Sequence, residues 1–170
     1  MRSTDSVANL LARIDRANGL LQRIVDEYSG FLEGDFRLLG RKNTSVIVIA
    51  NLMVDYYTCA ETLFLRISQF FENDLDGNRW HSDLLEKMLL QIDGVRDPVI
   101  GEETAQQLGE LMRFRHFRRF YFELKYDWDK LDYLQGVFGK ITELLPADLA
   151  RFELFLQGLA EGGSGVASED

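Results

Sequence analysis

From Leu10 the apolar residues return at alternating steps of four and three: Leu10, Ile14, Ala17, Leu21, Ile24, Tyr28 and Phe31. That rhythm marks one face of an α-helix, and Thr4, Asp5 or Ser6 can cap its start. Charged residues such as Arg13, Asp15, Arg16, Arg23 and Asp26 fall on the other faces. A connection over 34–43 holds two glycines and leads to Thr44 or Ser45 as a second cap. Val46, Ala50, Met53, Tyr57, Ala60, Phe64, Ile67 and Phe71 then repeat the rhythm. Two helices of about 25 residues with matching narrow seams belong side by side in a bundle.

The stretch 73–78 reads as a loop. A shorter helix over about 80–92 follows, carrying Leu84, Leu85, Met88 and Ile92, and Gly94 and Asp97-Pro98 interrupt it. A fourth helix opens at Glu102-Glu103, where acids suit the positive end of the helix dipole, and runs to about Lys125. A fifth begins at Asp127 or Asp129 and carries Leu131, Leu134, Phe138, Ile141 and Leu145. Pro146 marks a turn or a new first turn, and Leu149, Phe152, Leu156 and Leu159 continue the apolar face. The pattern predicts an all-α, antiparallel, up-and-down bundle of four to five long helices. It forms one domain over 1–161, with a flexible Gly/Ser-rich tail over 162–170.

Composition narrows the function classes. The formal charge of −9 gives no general affinity for nucleic acid or anionic membrane, so any such binding needs a local patch. Cys59 is the one cysteine and cannot form an internal disulfide; a buried, reduced thiol is expected. The first residues lack the apolar stretch of a signal peptide, and the apolar run 46–54, broken by Asn51, is too short to span a bilayer. A cytoplasmic protein without membrane contact is expected. No phosphate loop, no Cys/His metal spacing and no glycine-flanked nucleophilic serine occurs, so neither a metal nor a cofactor is expected.

One segment stands apart. Arg113, Arg115, Arg118 and Arg119, with His116, lie within seven residues of an acidic chain. Phe117, Phe120, Tyr121 and Leu124 share a stripe at about 100° per residue and should face the core, with Arg113 at its edge. Arg115, His116 and Arg119 flank one another one turn apart. Arginines grip a phosphodiester bidentately, and a histidine side chain exchanges protons. Together these are the minimum parts for metal-independent RNA cleavage, in which the ribose 2′-hydroxyl is the nucleophile. The competing reading pairs the arginines with acids of neighbouring helices and leaves His116 to packing. Glu61, one turn from Tyr57 and beside the second seam, is a candidate partner for an arginine of the fourth helix. Trp80 is expected to pack and His81 to cap or lie exposed.

Tyr56-Tyr57…Glu61…Phe64…Ile67, the block Trp80-His81-Ser82-Asp83-Leu84-Leu85-Glu86-Lys87-Met88, and Phe114-Arg115-His116-Phe117-Arg118-Arg119-Phe120-Tyr121 through Leu131 resemble a branch of the HepT-like proteins of the HEPN superfamily. The resemblance covers about 5–160. It implies an antiparallel helical bundle that forms a homodimer, acting as the ribonuclease toxin of a toxin–antitoxin pair. It also implies a small nucleotidyltransferase partner that adenylylates a tyrosine near the active site. RNA rather than DNA is the implied target. The usual motif is an arginine, four to six residues, a histidine, one residue, then that tyrosine.

Carried onto this chain, the resemblance makes His116, Arg113 and Arg119 the catalytic candidates and Arg115, Arg118 and Glu61 the substrate-binding ones. Tyr121 is the candidate modification site. The spacing departs from the motif: two residues before Tyr121 stands Arg119, and two residues after His116 stands Arg118. Arg113 keeps a family-like distance from Tyr121. Two functions follow from different classes: a metal-independent endoribonuclease, or a catalytically inactive module that binds a nucleotide, RNA or the nucleotidyltransferase.

Overall fold

Both long seams become helices, α1 (Thr4–Glu33) and α3 (Asn43–Glu72). The structure, a computed structural model, describes residues 4–72, 80–120 and 127–162; side chains at 4, 72, 80–82, 119, 120 and 162 lie outside that description. Every residue predicted for the seam of α3, from Val46 to Phe71, is buried, and Ile49, Tyr56 and Leu63 widen it. An aliphatic and aromatic face of this width stabilises the fold by about 1.5–3 kcal/mol for each large side chain removed from water.

The connection between them contains a short helix, α2 (Asp35–Leu39), that the sequence pattern did not predict. Gly40 ends it at φ +66°, a left-handed conformation that only glycine adopts without strain. Ser45 is not a cap. Its hydroxyl donates to the Gly40 carbonyl at 2.7 Å from the first turn of a helix that starts at Asn43.

The third predicted helix is shorter than its apolar spacing suggested. α4 spans Trp80–Leu89 and stops three residues before Ile92. Ile92 instead pairs with Arg96 in a tight antiparallel bridge, with Gly94 at φ +71° in the turn. The returning chain closes the end of α4: the Val99 amide donates to the Met88 carbonyl at 2.8 Å, and the Arg96 guanidinium to the Lys87 carbonyl at 2.6 Å. These bonds satisfy carbonyls that a helix end leaves without partners. Arg96 is nearly fully buried, beside Val99 and Ile100 in the core.

α5 spans Glu102–Phe120, and α6 spans Trp128–Gly162. The predicted reach of the fourth helix to Lys125 falls in 121–126, outside the described residues, as does the tail beyond Gly162. Pro146 neither turns the chain nor starts a helix; it lies inside α6. An interior proline costs about 3 kcal/mol, yet Ile141, Leu145, Leu149, Phe152 and Leu156 are buried on both sides of it. Unbroken burial of that face outweighs the lost amide bond. Leu159, expected on the same face, is exposed.

Contacts between helices set the directions. Ala17 meets Cys59 while Ser6 and Asn9 lie beside Gln69 and Phe70, so α1 and α3 are antiparallel. Tyr28 contacts Gln135 and Phe138, and the charge of Asp15 acts on Glu153, so α6 runs antiparallel to α1. Thr104 bonds Asp148 and Lys130 sits over Phe117, which sets α5 antiparallel to α6. α3 and α5 are antiparallel through Glu61–Arg115 and Asn51–Arg118. The result is a closed up-down-up-down ring α1–α3–α5–α6, with α4 across α3 and α5. By length and composition α3 would suffice to cross a bilayer, but half of its most apolar stretch is buried in the bundle. Its outward face carries Asn51, Asp55, Thr58, Thr62, Arg66 and Gln69.

Candidate functional site

α5 owes its position to a carboxylate from the helix beside it. Asp148 of α6, nearly buried, accepts the Gly101 amide at 2.8 Å and the Thr104 hydroxyl at 2.5 Å on Oδ2. Its other oxygen, Oδ1, accepts from Arg151 at 2.8 Å. An acid at a helix start satisfies unpaired amides and complements the dipole. This one comes from 44 residues away in sequence, so local reading credited only Glu102 and Glu103. Both of those are exposed.

Further along α5 the core side is formed by Thr104, Leu108, Leu111 and Phe114, all buried. The stripe predicted through Phe117 is therefore offset. Phe114 is the buried aromatic, and Phe117 is half-buried with the Lys130 ammonium 4.6 Å from its ring centre. The rest of that stripe lies outside the described side chains.

The offset turns Arg115 towards α3. Its Nη1 and Nη2 donate to Glu61 Oε2 and Oε1 at 2.7 and 3.1 Å, a two-pronged pair, and its guanidinium lies 4.9 Å from the centre of the Tyr57 ring. Tyr57 donates its hydroxyl to Glu61 Oε1 at 3.3 Å, and Thr58 Oγ1 accepts from Arg115 Nη1 at 3.4 Å. The pairing expected between Glu61 and an arginine of the fourth predicted helix is thus present, and Arg115 is that arginine. Burial raises the Tyr57 phenol above its ordinary range; the neighbouring Glu61 charge adds to the rise and Arg115 opposes it. The phenol therefore stays protonated and keeps its donor role.

The remaining candidates divide. Arg113 is exposed and pairs with Glu110 on its own helix at 2.5 Å, away from the Glu61 cluster. Arg118 reaches across to the side-chain oxygen of Asn51, a neutral partner. His116 is exposed on α5 between them. Arg119 lies within the helix, its side chain outside the description, and Tyr121 is outside the described residues altogether. So are the side chains of Trp80 and His81. The structure brings together Arg115, Glu61 and Tyr57, and places Arg118 against α3; it does not gather Arg113 with them. Asn51 and Thr58 are the contact residues the sequence reading missed. Asn51 had a visible signal, since it is the polar break in the apolar run 46–54.

Chemically, the cluster is a brace: a buried carboxylate fixes the register of α5 on α3, and the face it fixes carries Arg118, three residues on from Arg115, while His116 lies on another side of the helix. Among the described residues no three His, Cys, Asp or Glu side chains gather as metal ligands. Cys59 is half-buried rather than buried, its Sγ 4.0 Å from the Ala17 carbonyl, and burial raises its thiol pKa.

No curated protein and no solved structure matches the chain. The sequence model of one family, described as HepT-like protein, matches residues 48–156. That span runs from the first turns of α3 almost to the end of α6 and includes Glu61 and the whole arginine-rich stretch of α5. It covers well over half of the chain, and the chain belongs to the HepT-like proteins.

Proposed function

We propose that this HepT-like protein is an RNA-directed component of a toxin–antitoxin pair, and that the α5 face bearing Arg118, where α5 meets α3, is where RNA phosphates bind. One observation carries the reading. Arg118 is held by a neutral amide, Asn51, and not by a carboxylate, so its charge is left for an anion. The Glu61–Arg115 brace behind it holds that charge in place, which lowers the ordering cost of binding. A short uridine oligoribonucleotide should bind with marked salt sensitivity, and Arg118→Ala should weaken it by about 1–2 kcal/mol. Binding that ignores both salt and this substitution would sink the proposal.

Holding RNA without cutting it is the form favoured by Arg113 and Arg115, the two arginines that precede His116 in the cluster. Each is matched to its own carboxylate, Glu110 and Glu61. Cleavage is the second reading, supported by the exposed position of His116. RNA incubated with the protein in a chelator separates the two. Cleavage that disappears in His116→Ala assigns a metal-independent endoribonuclease, whereas intact RNA bound equally by both proteins assigns a binding module. The proposed partners are a second copy of the chain and a small nucleotidyltransferase, and the proposed compartment is the cytoplasm. Mass measurement of the complex co-purified with a co-expressed nucleotidyltransferase tests the partners, and a single unassociated chain would remove them.

A further inference from the structure

Two clefts of about 340 and 390 Å³ lie between α1 and α3, and Arg13 and Arg66 line both. Arg16, Thr58, Cys59 and Thr62 contribute to the second. Among the described residues no aspartate or glutamate lines either cleft. Arg13 donates to Asn9 and Arg66 to Gln69, both at 3.1 Å and both neutral amides. Among the described residues none of Arg13, Arg16 and Arg66 forms an ion pair. Asp15, the acid next to Arg16, acts on Glu153 of α6 on the other side of α1. In a chain of net charge −9, three exposed arginines left unmatched along one groove make a local field of the opposite sign.

This groove is continuous with the α5 face. Thr58, in its wall, accepts from Arg115, and one polar face of α3 runs on from there to Asn51, where Arg118 arrives. From Asn51 to Arg66 that face extends about 22 Å. Arg118 and Arg115 of α5 stand on one flank, Arg13 and Arg16 of α1 on the other. Its acids are Asp55, exposed, and Glu61, held by Arg115.

We propose that the α1–α3 groove is a channel for the phosphate backbone of single-stranded RNA, with Arg13, Arg16 and Arg66 holding phosphates of a strand whose neighbouring nucleotides lie at α5. The inference rests on the RNA-binding reading and extends its footprint. A single strand suits the site, because packed helix axes stand only about 8–10 Å apart and a groove between them is too narrow for a duplex. Thr58 and Thr62 already donate their hydroxyls to the Val54 and Thr58 carbonyls at 2.8 Å, so the arginines carry the phosphate contacts.

The test uses the full chain and a labelled uridine oligoribonucleotide, with binding followed by fluorescence anisotropy between about 50 and 200 mM salt. The triple substitution Arg13→Ala, Arg16→Ala, Arg66→Ala should lower affinity at least about tenfold at the low-salt end. It should also flatten the dependence of log affinity on log salt by about 2, at roughly 0.7 per lost phosphate contact. Lysine at the same three positions should keep most of the binding, since charge and not packing is at stake. Cys59 gives an independent reading of place: RNA should slow its alkylation by iodoacetamide several-fold in the unsubstituted protein and not in the alanine triple. All three arginines are exposed, so thermal melting should be unchanged and loss of binding cannot be laid to unfolding. A triple variant with unaltered affinity and salt slope, alongside a weakened Arg118→Ala, overturns the channel and leaves the RNA reading standing. Absence of RNA binding by the unsubstituted protein overturns both.

Discussion

Glu61 has only a small exposed fraction, 6%, and is the residue on which the α3–α5 contact depends. Removing one member of a buried ion pair strands the other charge, at a cost of about 3–5 kcal/mol. Arg115 keeps 23% of its side chain exposed, so water takes up part of that loss. Glu61→Ala should therefore destabilise the protein by about 2–3 kcal/mol in denaturant unfolding, and Glu61→Gln by less, since the amide still accepts one bond. Equal stability of Glu61→Ala and the parent would show that the brace contributes nothing. The buried phenols give a pH signature at the same scale. Burial holds the pKa values of Tyr56 and Tyr57 above 10.0, where an unfolded tyrosine ionises. Their contribution is whole below that pH. As pH rises through it, the unfolded state loses protons first and stability falls. Absorbance at 295 nm should show these two tyrosines ionising only when the helices melt, and full ionisation in the folded protein would contradict the burial. Glu61 was legible in the sequence because it sits one turn from Tyr57 at the edge of a regular seam. Its partner was legible only as some arginine of the fourth helix, since a one-residue phase error in α5 exchanges Phe114 for Phe117 and redirects every arginine.

At the scale of elements, seams were readable and ends were not. The residues spaced by three and four are all buried on α3, and on α1 and α6 they are buried up to Leu21 and Leu156, with Ile24, Tyr28 and Phe31 half-buried and Leu159 exposed, because helical periodicity is local. What fixes the ends comes from elsewhere in the chain. Asp148 closes the start of α5, and Arg96 with Val99 closes the end of α4. Neither could be seen from the spacing of the helix it serves. Pro146 misled for the same reason: its local cost was visible, but the burial on both sides was not. Asp148→Ala should expose this dependence by leaving the Gly101 amide and the Thr104 hydroxyl unpaired. The expected loss is about 2–3 kcal/mol, and amide exchange should rise first in the opening turn of α5. Exchange that rises equally throughout the bundle would show that Asp148 stabilises the whole fold and does not specifically hold α5.

For the molecule as a whole, the closed ring leaves one outward face of α3 between arginines from both neighbours while the total charge remains −9. The two facts act over different distances. Near 0.1 M salt, charges are screened beyond about 10 Å, and a strand at α3 meets five arginines against Asp55 and Glu61. Near 0.01 M the screening length is about 30 Å, comparable to the length of the bundle helices, and the strand also meets the net negative charge of the rest. Counterion release favours binding steadily as salt falls, but the long-range repulsion grows over the same interval. Affinity for a single-stranded oligoribonucleotide should consequently rise as salt is lowered towards about 0.05 M and then level off. A uniformly basic protein of this size would show a straight line throughout. Anisotropy titrations over that range distinguish the cases, and replacing several exposed acids of α6, such as Asp129 and Glu143, with their amides should restore the straight line without touching the groove. A straight line in the unsubstituted protein would mean that the strand does not feel the acidic remainder of the molecule, and that its site lies elsewhere than on α3.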